Sequence, residues 1–220
     1  MPQVLKEDVR ARILEAARAE LAERGYAGTT MATIAARAAL GTGGIYRYYP
    51  SKDELVAAAI PAALVRDFEA LLDRRVRALG TALAPSNDDA GEEIFRFWTA
   101  HRLAVVVLLD RAAGTPHADF PQRFVDRLVA LSLEQLRTGY PGAEVDDATL
   151  FVLRRVFEGT RSALAEILRA HEDEAEMRTA VETFWTYQLA GLKALSKRVG
   201  SATRRSRRPP SPRSRPGGRR

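Results

Sequence analysis

Apolar residues recur three and four positions apart along almost the whole chain, with polar residues filling the positions between. Val9, Ile13, Ala16, Ala17 and Leu21 keep this spacing, with Glu20 on the same stripe. The pattern predicts an amphipathic helix over residues 6–24, with Gly25 placed to end it. Thr30 is the candidate N-cap of a second, short helix carrying Ile34, Ala35 and Ala38. A third short helix carries Ile45, Tyr46 and Tyr49 and stops at Pro50, because the residue before proline is pushed out of the α region. Ser51 and Glu54 then make a capping box. It opens a long helix through Leu55, Leu64, Phe68 and Leu72, bent at Pro61.

Residues 80–93 read as a loop by their Gly, Pro, Ser, Asn and Asp content. A helix follows in which Ile94, Trp98, His101, Val105 and Leu108 share a stripe. "AGTPHADFP" interrupts the pattern, which Phe124, Leu128, Leu131 and Leu136 resume. After the turn "TGYPGAEVDD", two long helices carry Leu150, Leu153, Phe157, Leu164 and Leu168, then Met177, Val181, Phe184, Gln188, Leu192 and Leu195. Strand-like alternation with period two is nowhere sustained, so the expected fold is all-α. Residues 200–220, rich in Arg, Pro and Ser, have too little apolar surface to offset the entropy of ordering and are expected to form a disordered basic tail.

Composition narrows the chemistry. The 220 residues include no cysteine, which excludes disulfides, thiolate metal sites and cysteine nucleophiles. The N-terminus lacks the apolar core of a signal peptide. The longest apolar run, Leu103 to Leu109, is far short of the ~20 residues that span a bilayer. A soluble, cytoplasmic protein with no membrane partner is expected. The formal charge of +6 is unevenly spread: residues 1–52 hold eight Lys/Arg against five Asp/Glu, and residues 201–220 hold eight Arg and no acid. The segment between is acidic, so only part of the chain is suited to meet a polyanion.

The stretch "GTGGIYRYYPSK", residues 41–52, combines glycines with tyrosines around an arginine. It is no Walker loop, since no Lys follows the glycines and no strand precedes them. A long helix, two short helices around a tight turn, and a capped fourth helix instead describe a helix-turn-helix head. In the second short helix, Ile45 and Tyr49 point inward. Thr42, Gly44, Tyr46, Arg47 and Tyr48 lie on or beside the exposed surface. Arginine pairs with guanine or phosphate, and tyrosine hydroxyls favour phosphate.

Residues 13–55, "ILEAARAELAERGYAGTTMATIAARAALGTGGIYRYYPSKDEL", resemble the N-terminal domain of TetR-family transcriptional repressors. The landmarks are "AERGY", "TTMATIA", "IYRYY" followed by Pro, and "SKDEL", in order and at the family's spacing. The resemblance implies a homodimeric repressor whose two heads bind successive major grooves of a palindromic operator in double-stranded DNA. By position it implies DNA contacts from Thr30, Thr42, Tyr46, Arg47 and Lys52, with Lys52 holding a phosphate and Arg47 reading a base. Two departures stand out. The turn carries Ala39 where the family has Gly, and Gly41 where it has a Ser or Thr cap; Gly43 and Gly44 offer no side chains.

The expected organisation is a helix-turn-helix domain over residues 1–52, a larger helical effector-binding and dimerisation domain over 53–199, and the basic tail over 200–220. Phe97, Trp98, His101, Val105, Phe120, Phe124 and Phe157 are candidate ligand-pocket residues for a small apolar or aromatic effector. The same residues also suit an ordinary core, and the pocket reading follows from the resemblance. So does dimerisation through the last two helices, where Gly159 with Ala163 and Ala190 with Ala194 permit close approach. The three histidines lack metal-ligand spacing, and no nucleophile elbow occurs, so neither metal, cofactor nor enzymatic activity is expected. The rival reading is a small-molecule-binding or scaffold protein with weakened DNA recognition.

Overall fold

The computed structural model describes residues 2–80 and 89–206. Among these residues every regular element is helical: ten α-helices and one π-helical turn. Helix α1 (Pro2–Gly28) is interrupted at Gly25 (φ 66°, ψ 177°), the residue expected to end it. The left-handed region is open to glycine because it has no Cβ. Helices α2 (Met31–Arg37) and α3 (Thr42–Ile45) follow, and α4 (Lys52–Ala59) begins at the Ser51 cap, whose hydroxyl accepts from the Glu54 amide.

The bend expected at Pro61 is a full break. Ile60 leaves the helix (φ −129°, ψ 77°) and α5 (Ala62–Leu79) starts afresh after Pro61. Proline drives its predecessor out of the α region, so α4 cannot continue. The carbonyls at this break find partners from elsewhere: Arg18 Nε on α1 donates to Ala59 O at 2.9 Å, and His117 Nε2 meets Ile60 O at 2.8 Å. A carbonyl only accepts, so His117 carries its proton on Nε2.

Part of the expected 80–93 loop is helix, since α6 spans Asp89–Ala100; residues 81–88 lie outside the described residues. The single helix expected through Ile94 and Leu108 is divided. His101 (φ −122°, ψ 27°) separates α6 from α7 (Arg102–Val106), and a π-helical turn over Val107–Arg111 follows. Ala104 to Leu109 are completely buried, placing this segment at the centre against α1, α8 (Phe120–Gly139) and α9 (Asp147–Ala170). Arg161 of α9 donates to the Leu109 carbonyl inside the π turn, and Arg169 pairs with Asp110 at 2.8 Å. Helix α1 packs on α2 and α4 and also on this central segment, so it belongs to the head and the larger body together.

Phe68 of α5 stacks with Phe97 and Phe120, both at 5.6 Å between centroids. Outside this cluster, α5 and α8 are tied by Arg123–Glu69 and Arg127–Asp73 ion pairs. Arg127 beside Asp73 holds that carboxyl below the usual range. Helix α10 (Glu174–Ser206) runs beyond the expected boundary, so residues 200–206 are helical and not part of a tail. Its continuation follows from packing: Val199 and Gly200 are buried, and a Cβ on Gly200 would lie 2.3 Å from the Tyr140 ring. The remainder of the basic tail, residues 207–220, lies outside the described residues.

Candidate nucleic-acid interface and effector cavity

The head is assembled by local chemistry. Thr30 (φ −128°, ψ 158°) caps α2 reciprocally: its hydroxyl accepts from the Thr33 amide and the Thr33 hydroxyl accepts from the Thr30 amide, both at 3.1 Å. Each bond satisfies a free donor at a helix start. The turn that follows contains Ala39 at φ 54°, the one non-glycine residue with positive φ among the described residues. Gly41 caps α3 with no side-chain bond. Ile45 is fully buried and anchors α3 to the head, while its carbonyl accepts from the Tyr48 and Tyr49 amides at 2.9 and 3.0 Å. The α-helical part is thus shorter than the sequence pattern suggested, with Tyr46 to Tyr48 forming a turn before Pro50.

Ile45 fixes which side chains face outward. Thr42 and Arg47 are exposed and Tyr46 is 50% exposed. Gly44, Tyr48 and Tyr49 are half-buried, and both tyrosines pack in part against the core. Ideal Cβ atoms at Gly41, Gly43 and Gly44 would meet no atom within 4 Å, so bare backbone faces open space between Thr42 and Tyr46.

Lys52 has a structural role that sequence spacing did not disclose. Its ammonium donates to the carbonyls of Tyr26 at 2.8 Å and Thr29 at 2.9 Å and lies 3.7 Å from the Tyr26 ring centroid. The Tyr26 hydroxyl donates to Asp53, and that hydrogen bond is the chief cause of its raised pKa. Two of the three ammonium donors are therefore taken, leaving one for a phosphate. Beneath this cluster, Glu20 is 3% exposed, with Arg37 Nε 2.8 Å from one of its oxygens and Arg24 Nε 3.5 Å from the other. Gly114 (φ 81°), in the loop before α8, approaches Tyr26 so closely that a Cβ would lie 2.8 Å from the ring.

A second site lies in the larger body. A cavity of about 310 Å³ opens between α5, α6, α8, α9 and α10, lined by Phe95, Trp98, Phe124, Phe157 and Trp185 together with aliphatic side chains. That volume is at the lower end of the ~300–1,000 Å³ usual for small-molecule sites. Of the seven pocket residues expected from sequence, Trp98, Phe124 and Phe157 line it. Phe97 packs against Phe68 and His101, Val105 is wholly buried in the central segment, and Phe120 stacks on Phe68. His101 instead faces a polar cleft beside Arg18 and Glu15. Burial, then the nearby Arg18, pushes its imidazole below the ordinary value against the opposing pull of Asp67. Trp185 was reachable by the i, i+4 step from Val181. At the cavity mouth, Arg178 of α10 bonds Glu92 of α6 through both guanidinium nitrogens and sits 4.0 Å over Phe95.

On α9 and α10 the outward face carries Phe151 (62% exposed), Val152 (44%) and Tyr187 (80%). Gly159, Ala190, Gly191 and Ala194 lie exposed on the same helices.

Residues 13–59 match the family model of bacterial regulatory proteins, tetR family. The HTH-type transcriptional repressor Rv3405c of Mycobacterium tuberculosis is 37% identical over 93 residues, covering 36% of this chain and 48% of the relative. The HTH-type transcriptional regulator BetI of Burkholderia ambifaria is 37% identical over 79 residues, covering 36% of this chain and 41% of the relative. The chain thus spans about half the length of the curated relatives it matches. Among solved structures, a putative transcriptional regulator from Pseudomonas aeruginosa PAO1 is 20% identical, with 92% of this chain and 95% of that one covered and a TM-score of 0.43. RolR in complex with resorcinol is 23% identical, with 87% and 94% covered and a TM-score of 0.35. The helix-turn-helix segment at residues 13–59 is thus similar to the bacterial regulatory proteins of the tetR family.

Proposed function

We propose that the protein is a ligand-responsive transcriptional repressor that binds a palindromic operator as a homodimer. The observation that carries this reading is the short helix α3, whose fully buried Ile45 turns Thr42, Tyr46 and Arg47 outward together. A major groove admits such an element, with arginine pairing to guanine and the hydroxyl groups meeting phosphates. Residues 1–52 act as the DNA-binding head, with Thr30, Gly44, Tyr48 and Lys52 at its edges, and residues 53–199 hold the effector and the dimer interface. The exposed apolar stripe on α9 and α10 supports the dimer, because two such pairs pack as a four-helix bundle.

The effector enters the cavity beneath Trp98. Leu72 and Val76 of α5 form part of its wall, and α5 follows α4 across the Ile60–Pro61 break. Filling the cavity displaces α5, hence α4, and changes the separation of the two α3 helices from the ~34–36 Å of one DNA turn.

Footprinting on the DNA upstream of the protein's own gene tests this reading. A protected palindrome is expected, and Arg47→Ala is expected to lose about 1–3 kcal/mol of discrimination at one position of each half-site. The competing reading is a helical small-molecule-binding or scaffold protein that no longer reads DNA. The bare Gly43 and Gly44 surface and the engagement of Lys52 within the head favour it. Lack of protection even at low salt would establish it.

A further inference from the structure

We infer that the cavity selects neutral aromatic molecules and rejects anionic ones, and that the Glu92–Arg178 pair sets this selectivity. The inference rests on the reading of the cavity as an effector site and adds the class of effector. Five aromatic side chains line the space, so a flat ring system meets ring faces and edges on several sides. Leu128, Leu164 and Leu189 add an aliphatic wall, Ser132 and Thr186 add hydroxyls, and the charged lining pairs two cations, Arg75 and Arg178, with two anions, Glu92 and Glu182. A charged group placed against the aromatic and aliphatic part of the wall loses its hydration, and the lining carries no excess of positive charge to compensate an anion.

Charge at the mouth is already balanced. Arg178 is held by Glu92 through both guanidinium nitrogens and also lies 3.4 Å from Glu174. Glu182 lines the same opening, one turn further along α10. A carboxylate ligand must therefore displace Glu92 from Arg178 while meeting repulsion from both glutamates. A neutral ring passes the pair without disturbing it. Bidentate guanidinium–carboxylate geometry is the strong form of this contact, which makes Glu92 the residue that keeps Arg178 from serving as an anion receptor.

The test uses the full chain and three probes of one skeleton: β-naphthol, β-naphthoate and decahydro-β-naphthol, titrated by calorimetry at neutral pH. The inference expects β-naphthol to bind at least about tenfold more tightly than either of the others. Glu92→Gln frees Arg178 from its main partner and is expected to raise β-naphthoate affinity by about tenfold while leaving β-naphthol within about threefold. Circular dichroism confirms that this mouth variant folds. Equal affinity for naphthol and naphthoate in the parent, no binding of β-naphthol up to its solubility limit, or no gain for naphthoate in Glu92→Gln overturns the inference. Operator release by β-naphthol is measured separately by fluorescence polarisation. Binding without release refutes the ligand-responsive repressor while leaving the selectivity intact, so the two ideas fail independently.

Discussion

The Lys52 ammonium bridges the carbonyls of Tyr26 and Thr29 while resting 3.7 Å from the Tyr26 ring centroid. It therefore ties the start of α4 to the end of α1, and the N-terminal head depends on it whether or not it also meets a phosphate. Hydrogen bonds from a charged donor contribute about 1.5–3 kcal/mol each at most, and a partly exposed cation–π contact adds ~0.5–1 kcal/mol. With partial exposure reducing these values, Lys52→Met is expected to cost about 2 kcal/mol in urea unfolding as well as weakening DNA binding. Unaltered stability with selective loss of DNA affinity would show that the pair of carbonyls contributes nothing to holding the head.

Ala39 carries a Cβ at φ 54°, where only glycine is unstrained. The left-handed conformation costs about 1–2 kcal/mol for a residue with a Cβ. Ala39→Gly relieves this, while glycine's freer unfolded chain takes back about 0.4–1 kcal/mol. A net gain of about 0.5–1 kcal/mol is expected, visible as a higher urea midpoint at unchanged slope. Equal or lower stability would mean that the turn gives the alanine compensating contacts.

These two positions differ in how far the sequence revealed them. Thr30, Gly41, Ile45, Pro50 and Ser51 fix the caps, the inward anchor and the start of α4 by local rules, so the order of the head's helices was readable from residue types, whereas the early end of α3 at Ile45 was not. The Lys52 carbonyls come from residues 23 and 26 positions earlier, and no spacing rule reports such a pairing. The same limit applies to the aromatics. Periodicity places Phe97 and Trp98 on neighbouring faces of one helix, but only the packing of α5 and α8 around it shows that Trp98 meets the cavity while Phe97 stacks on Phe68. The helix through Ser206 was hidden by composition, since the Tyr140–Gly200 contact joins elements 60 residues apart.

Gly43 offers a gain-of-function test of where α3 sits on DNA. It is exposed, and a Cβ there meets nothing within 4 Å. Gly43→Lys also improves helix propensity by roughly 0.5–1 kcal/mol, so folding is not at risk. If α3 lies in the groove, the added ammonium reaches a phosphate and steepens the log–log salt dependence of binding by about 0.9 for each half-site. A salt slope equal to the parent's would place α3 away from the backbone.

His101 makes stability sensitive to mild acid. Its imidazole is held below its ordinary value by burial and then by Arg18, with Asp67 opposing and the Phe97 ring packed 4.7 Å away. An unfolded histidine titrates near ~6.5. Below that point the unfolded chain binds the proton that the folded chain refuses, so the contribution is complete above it and is lost progressively as pH falls towards the folded value. His101→Phe removes the titration while keeping a ring against Phe97. The urea midpoint of the parent is expected to drop more than that of the variant as pH falls through about 6.5, and the two curves run parallel once the folded imidazole is protonated as well. Parallel curves throughout would mean that His101 is equally easy to protonate in both states, and that the cleft beside Arg18 is open to water.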